Sequence, residues 1–485
     1  MKKQHLILTL LIHIIAAWFS VGRFHPDEQF QIIEFLGYKT GVNSAQDLPW
    51  EFHSEMRSTT QVAFAYGITE LFSFITNPFT QVFLLRLISS LLALYALHRL
   101  IKYFKNELSE RNYTLLSLLG AIYCFIPYFH ARFSSENLSI SLLILGLVLY
   151  LESKKIRNYI LVGVLLGLAY TVRMQSLFIL FGFGLWVLFV KKEQLKGVLL
   201  LLSGFSLSVF IGLLSDRWFY GHWVNTTWNY VYENIILHKS KSFGTQPFWY
   251  YFEKTFLDAI PPMSIVIIVS ILFFLLFKVK HVLTWMFIPF LLVHFFTAHK
   301  ELRFLFPLIN FIPLFVVLSW QEIENNSRFE KLKTHLIRLR FYLIKPLFWI
   351  GNSILLIVLC FKPADNYTPP ISFIYTNYSS YKTQVLFTDN NPYDKNNCLN
   401  FYKPRDLRVQ QISIDTLTYI DLNKFSHSLV VASNDEVRKI KMRGFEVKKV
   451  YSTIPDFLYS INFNNWISRT TKTEIYELSI NPYIR

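Results

Sequence analysis

The sequence predicts an α-helical polytopic membrane protein carrying a small C-terminal α/β domain. Three observations carry that reading. Apolar residues make up 53% of the 485 positions and charged residues only 16%, against about 25% charged in an average soluble chain. The apolar residues gather into long runs, and a spanning helix needs about 20 of them. From residue 362 onward the character changes: Pro363, Pro369 and Pro370 interrupt the chain and polar residues then dominate. The predicted division is therefore 1–361 for the membrane part and 362–485 for the soluble part.

In chain order the candidate spans are 6–22, 81–101, 113–130, 138–152, 158–172, 176–190, 196–214, 259–278, 281–298, 303–320 and 342–361, about 11 helices by the length a bilayer requires. The first follows Lys2-Lys3 and is read as a retained helix, because Arg23-Phe24-His25-Pro26 offers no small-residue cleavage site. Several runs are short, so either some of these boundaries are misplaced or some helices sit in the protein interior. Lys2-Lys3, Arg99 to Arg111, Lys154 to Arg157, Lys191 to Lys196, Lys278 with Lys280, and Arg328 to Lys345 fall in loops that alternate along the chain. The bias of Lys and Arg toward the cytoplasm puts these inside. Loops 23–80, 131–137, 173–175, 215–258, 299–302 and the tail then face outside. The net charge of +16 is on this reading a topology signal, and no nucleic-acid partner is expected.

Within the first outside loop, Pro26 opens and Gly37 closes a predicted helix, by the usual start and stop chemistry. Phe30, Ile33 and Leu36 or Phe35 form one apolar stripe, with Gln29, Gln31 and Glu34 off it, which predicts an interfacial helix lying along the membrane. A second one is expected from Val62 to Ile75, ended by Asn77-Pro78. In the tail, 384–389, 428–433 and 474–478 read as strands, and 434–443 reads as a helix closed by Gly444. Cys124, Cys360 and Cys398 have no metal or redox spacing, so no disulfide framework is expected.

Five polar clusters all fall on the outside face, where charge beside a bilayer is costly unless it has work to do. His25-Pro26-Asp27-Glu28 places two acids in a first helical turn, where the helix dipole welcomes them; one could equally serve as a general base. Ser134-Ser135-Glu136-Asn137 caps a helix and could also shape a site. Arg173 stands alone between two spans, as a snorkelling anchor or as a partner for a carboxylate or a donor phosphate. Asp216 to Gly221 opens a loop dense in aromatic residues, including Tyr220, Trp228 and Trp249, which form either an aromatic belt or a wall for sugar and lipid. His299-Lys300-Glu301-Leu302-Arg303-Phe304 sets three cationic groups against the usual charge bias, which favours a phosphate clamp over interfacial anchoring.

These residues resemble glycosyltransferase family 22, the lipid-linked mannosyltransferases of GT-C fold. His-Pro-Asp-Glu at 25–28 resembles the family's first-loop acidic motif. His299-Lys300-Glu301-x-Arg303-Phe304-x-x-Pro307 resembles its most distinctive signature. Asp216-Arg217-Trp218-Phe219-Tyr220-Gly221, Trp228-Asn229-Tyr230 and Phe243-Gly244-Thr245-Gln246-Pro247-Phe248-Trp249-Tyr250-Tyr251 follow its central run, with Phe243 for the usual Tyr and Gln246 for the usual His. Within the family the chain looks most like the enzymes that add the third mannose of glycosylphosphatidylinositol anchors.

The resemblance implies a polyisoprenyl-phosphate mannose donor, a glycan or glycolipid acceptor among membrane lipids, and inversion to an α-mannoside. It implies Asp27 as base with Glu28 supporting or sharing that role. His299, Lys300 and Arg303, joined by Arg173, become donor-phosphate candidates. His25, Glu136, Asp216, Tyr220, Trp228, Asn229 and Trp249 become substrate-binding candidates. No metal and no cofactor beyond the donor are expected. The rivals are a GT-C transferase with another sugar or acceptor, and a lipid or sugar transporter. Transporters place charge at the midplane, often in repeated halves, and neither feature is seen in the sequence. Abundant Lys, Asn, Ile and Phe with little Gly and Pro point to a bacterial inner membrane; a eukaryotic chain would sit in the endoplasmic reticulum.

Overall fold

The computed structural model describes residues 1–485 except 332, 335–344, 395, 396, 420, 463, 464, 466, 468–471 and 481–485. Each predicted span contains helix, although residues 342–344 of the last lie outside the described residues. The expected count of about 11 spans is not reached by length. Among the described residues four helices are long and apolar enough to cross a membrane: Pro78–Glu107, Ser135–Glu152, Leu195–Tyr220 and Leu302–Asn325. A fifth is reached if Met263–Phe277 and Val282–Phe296, bent by 116°, are one broken span. The remaining apolar helices, Lys3–Phe19, Ile156–Val172, Met174–Val190 and Lys345–Phe361, are shorter.

Two departures have local causes. The run 113–130 is two helices, Glu110–Ile122 and Phe125–His130. The break is satisfied by a side chain: the Cys124 N–H donates to Asn352 Oδ1 at 3.0 Å, and Asn352 Nδ2 donates to the Ile122 carbonyl at 2.7 Å. The run 303–320 begins as a 3-10 stretch, Leu302–Phe311, and becomes α-helical only at Ile312. Pro307 within it has no N–H to continue an α-helical ladder.

The chain divides into two compact units. The first comprises Met1–Ser20, Glu51–Ile68 and Leu84–Lys362; the second comprises Val21–Trp50, Thr69–Phe83 and Pro363–Arg485. The boundary after Lys362 lies beside the predicted one at 361. The first outside loop, however, is shared out, and residues 21–50 and 69–83 group with the tail and not with the membrane part.

In the first unit, an apolar core runs through Leu97, Leu143, Leu147, Phe287, Phe311 and Phe315. Ser135–Glu152 is an interior helix, 67% buried over its apolar window, whereas Leu195–Tyr220 is 22% buried and exposes Leu199, Leu202, Phe210 and Leu214. Helix Tyr159–Val172 lies against Leu195–Tyr220. Their backbones touch at Gly204: a Cβ there would strike the Ile160 carbonyl oxygen, with Ile160 C and Val164 N each at 2.9 Å. Small residues at such crossings let two helices pack in a lipid setting.

In the second unit, β1 (Thr383–Phe387), β2 (Arg408–Gln411), β3 (His427–Val431), β4 (Phe445–Ser452) and β5 (Glu474–Ile480) form one sheet in the order β2-β1-β3-β5-β4. β1 is parallel to β2 and β3; β5 is antiparallel to β3 and β4. Helix Asn434–Met442 opens with a capping box between Ser433 and Glu436, and Val437 and Ile440 pack it onto Leu386 and Val430. The predicted strands match β1, β3 and β5; β2 and β4 are additions.

The first-loop helix also differs from its prediction. It runs as Pro26–Glu28, a π-turn Gln29–Ile33 and Glu34–Lys39, so Gly37 does not stop it. Gln29 and Glu34, expected off the apolar face, are 3% and 0% exposed. The second predicted interfacial helix is Thr60–Leu71, shorter than expected. All three cysteines are buried and unpaired by disulfide.

Candidate active site

The first unit joins the sequence-flagged charges of three separate loops. Glu136 sits in the first turn of its helix, behind the N-cap Ser134 whose hydroxyl accepts from the Asn137 N–H; a carboxylate there meets the positive end of the helix dipole. Arg173 is the first residue past helix Tyr159–Val172. Arg303 lies at the start of the 3-10 stretch. Glu136 Oε1 lies 3.0 Å from Arg173 Nη1 and 3.4 Å from Arg303 Nη1, with side chains only 6%, 8% and 9% exposed. Arg303 Nε continues to Glu301 Oε2 at 2.6 Å, and Glu301 Oε1 lies 2.9 Å from His299 Nε2. His299 Nδ1 is 3.0 Å from the Gly244 carbonyl. Both ring nitrogens thus face oxygens.

The result is an unbroken chain, Arg173–Glu136–Arg303–Glu301–His299. Buried charges are tolerated when paired and hydrogen-bonded. Lys300 stands apart from that chain. Its ammonium donates to the Gln246 carbonyl at 2.9 Å and the Thr297 carbonyl at 2.5 Å, and partial burial lowers its pKa. It braces the 244–246 loop, which also donates its Gln246 N–H to the Ala298 carbonyl at 2.9 Å.

A second constellation in the same unit gathers Asp216, Tyr220 and Asn229 around residues 55–59. Asp216, 3% exposed, accepts from the Thr59 N–H at 2.7 Å, the Thr59 hydroxyl at 2.9 Å and the Thr226 hydroxyl at 2.8 Å. Tyr220 donates to the Arg57 carbonyl at 3.0 Å and Asn229 to the Glu55 carbonyl at 3.1 Å. These three side chains, two at the end of helix Leu195–Tyr220 and one in helix Thr226–Val231, hold residues 55–59. Thr59, Thr226, Arg57 and Glu55 went unflagged in the sequence, where no motif distinguishes them. Trp228 and Trp249 remain 56% and 53% exposed, offering flat faces outward.

Asp27, Glu28 and His25 lie in the second unit. His25 is the N-cap, its Nδ1 accepting from the Asp27 N–H at 3.2 Å. Asp27 Oδ1 lies 3.4 Å from the same nitrogen, and the Asp27 side chain is 22% exposed. Glu28 Oε2 accepts from the Phe24 N–H at 3.3 Å. One turn on, Glu34 is wholly buried. It accepts from Gln29 Nε2 at 2.6 Å, Asn43 Nδ2 at 2.5 Å and the Phe401 N–H at 3.3 Å. Burial pushes its carboxyl up to about 8, against the pull of those three donors and of Arg23. Among the described residues no group of three or more His, Cys, Asp and Glu is arranged to hold a metal ion.

Comparison with known proteins follows the same residues. The family model described as Alg9-like mannosyltransferase matches residues 4–399. GPI alpha-1,2-mannosyltransferase 3 of Homo sapiens is 25% identical over 66% of this chain and 58% of its own length. GPI mannosyltransferase 4 of Saccharomyces cerevisiae is 26% identical over 65% of this chain and 64% of its own. Alpha-1,2-mannosyltransferase ALG9 of the same yeast is 29% identical over 36% of this chain and 30% of its own. This chain thus spans less than two thirds of the length of the relatives it matches. Among solved structures, the oligosaccharyltransferase of Archaeoglobus fulgidus aligns over 84% of this chain and 62% of its own, at 12% identity and a TM-score of 0.47, a likeness too slight to assign a fold. The family match extends well over half of the sequence and includes both the acidic first-loop motif and the 299–307 signature: the chain belongs to the Alg9-like mannosyltransferase family.

Proposed function

We propose that this chain transfers mannose from a polyisoprenyl-phosphate mannose to a hydroxyl of a lipid-linked or glycan acceptor, with inversion of a β-linked donor to an α-mannoside. The observation that carries the reading is the buried pair Arg173 and Arg303 around Glu136, with His299 at the end of the chain. In the reaction the acceptor oxygen attacks the anomeric carbon, the bond to the phosphate oxygen breaks, and its electron pair leaves with the lipid phosphate. Negative charge grows on that phosphate, and preorganised cations stabilise it where it grows. Asp27 takes the acceptor proton, with Glu28 supporting or sharing the role. Its partial exposure keeps it reachable.

Trp228 and Trp249 supply stacking surface for sugar or isoprenoid. Asp216, Tyr220 and Asn229 hold the loop on which Trp228 stands. Lys300 acts through the 244–246 loop. A lipid-phosphate donor brings no nucleotide, and the reaction as written requires no metal. The architecture that fits is GT-C, with about 11 membrane-embedded helices of which some are too short to span alone. The relatives named as alpha-1,2-mannosyltransferases favour that linkage. A bacterial inner membrane is the proposed setting, and there the acceptor is a glycolipid other than a glycosylphosphatidylinositol.

The test is mannose transfer by purified protein from synthetic polyprenyl-phosphate mannose to a panel of mannoside-bearing lipids. Wild type transfers, and Asp27→Asn loses at least about a hundredfold, the scale of removing a general base. Transfer that survives the substitution moves the base to Glu28. A wild type that transfers to no acceptor refutes the reading.

A further inference from the structure

Within the second unit, the element that carries Asp27 and Glu28 is tied at both ends to the chain's C-terminal part. Before the helix, the Ala364 N–H donates to the Val21 carbonyl at 2.8 Å and the Arg23 N–H donates to Asp365 Oδ2 at 2.9 Å. Asp365 is itself held by the N–H groups of Tyr367 and Thr368 at 3.0 and 2.7 Å and by the Thr368 hydroxyl at 2.9 Å. The Arg23 guanidinium donates to the Asn397 carbonyl at 2.7 Å and lies over the Phe30 ring at 4.8 Å. Beyond the π-turn, Glu34 binds Gln29 in front of it, Asn43 behind it and Phe401 from the tail.

The backbone is shaped for this grip. A Cβ on Gly37 would sit 2.5 Å from Asn43 Nδ2, 2.9 Å from its Cγ and 3.1 Å from the Phe401 ring. Glycine is therefore needed there for close approach, which explains a glycine inside a helix that would otherwise weaken it. The Asn43 N–H also donates to the Gly37 carbonyl, at 3.1 Å. A wholly buried carboxyl without partners costs far more than an apolar side chain; three donors brought from 29, 43 and 401 make its retention intelligible.

We propose that Glu34 is a positioning residue: it fastens the 26–39 element to residues 363–402, so that the C-terminal domain is the seat of the proposed base and not an accessory. The inference rests on the role proposed for Asp27. Glu34 touches no substrate; it acts through the helix that aims Asp27 and Glu28.

The experiment compares full-length wild type with Glu34→Ala and Glu34→Gln, purified in lipid or detergent. It reads mannose transfer, donor KM and hydrogen exchange of the peptide covering 26–39. Glutamine keeps an acceptor oxygen and a donor on the same frame, and the Gln29 and Asn43 side-chain amides can turn to match it; alanine takes the acceptor from Gln29 Nε2 and the Phe401 N–H, while Asn43 Nδ2 keeps the residue 34 carbonyl at 3.2 Å. Glu34→Ala is expected to lower kcat by about thirtyfold, less than the hundredfold or more that follows loss of the base itself, while donor KM stays within about threefold. Exchange of 26–39 rises, and Glu34→Gln restores both readouts to within about threefold of wild type.

An alanine variant with wild-type kcat, or with unchanged exchange in 26–39, overturns the proposal. Should that variant not be recovered folded, Asn43→Ala removes one donor and faces the same criterion: faster exchange in 26–39 supports the seat, and unchanged exchange overturns it. If wild type transfers no mannose, the parent reading fails by itself. Exchange then still decides whether Glu34 is the fastener.

Discussion

Replacing Glu136 by glutamine separates two meanings of the buried charge chain. As a brace, Glu136 neutralises Arg173 at 3.0 Å and Arg303 at 3.4 Å in a place where all three side chains are under one-tenth exposed. The amide accepts a hydrogen bond but offers no charge. Removing one partner of a buried pair leaves an uncompensated ion and costs about 3–5 kcal/mol. Arg303 retains Glu301 at 2.6 Å and Arg173 retains the Ser135 hydroxyl at 3.0 Å, so the lower end, about 3 kcal/mol, applies. At about 1 °C per kcal/mol for a chain of this size, the melting temperature falls by about 3 °C. As a phosphate seat, the same substitution makes the two guanidiniums hungrier for an anion. Polyprenyl phosphate without sugar should then bind about tenfold tighter to the variant, which adds about 1.4 kcal/mol to its ligand-induced stabilisation. The assay is thermal unfolding of wild type and variant, each with and without polyprenyl phosphate. A variant that melts like wild type refutes the brace. A variant that melts lower, yet gains no more from the ligand than wild type does, refutes Arg173 and Arg303 as the phosphate site.

Two further outcomes follow from single residues. Glu34 has a folded pKa raised from 4.5 to about 8 by burial, so the folded state holds its proton more tightly than the unfolded chain. The stability it contributes is complete below about 4.5 and is lost as pH rises through about 8; the melting temperature of wild type should fall relative to that of Glu34→Gln as pH is raised across that range, and parallel curves would count against the shift. Gly204→Ala drives a methyl into the Ile160 carbonyl and should cost about 1–3 kcal/mol in overpacking, seen as a lower melting temperature, whereas Gly184→Ala, which meets nothing within 4 Å, should leave it unchanged; equal melts for the two variants would rule out the close crossing.

The apolar runs were legible because hydrophobic length is a local property, and each contains helix. Their breaks were not. The interruption after Ile122 depends on Asn352, which is 230 residues away and carries no mark of that duty. β1, β3 and β5 were legible as short apolar strands between breakers. β2, Arg408–Gln411, has no buried face at all. β4 carries a register irregularity between Lys449 and Tyr451, which spoils the alternation a strand shows in sequence. Charges at Arg173, Glu136 and Arg303 were each visible as anomalies beside apolar runs, but which of them pair is a long-range fact. Glu34 was misread for the same reason. Its position on the helix points off the apolar stripe, and only Asn43 and the distant Phe401 turn that side into an interior.

The grip of Phe401 on Glu34 also has a clock in it. The two residues are 367 positions apart, and ribosomes add about 5–20 residues per second. The N–H that holds the carboxyl is therefore made about 20–70 s after the carboxyl itself. Asp365, which secures Arg23, comes 342 positions after it. Throughout that interval the acidic turn is without the Asp365 carboxylate and the Phe401 N–H that fasten its element in the folded structure.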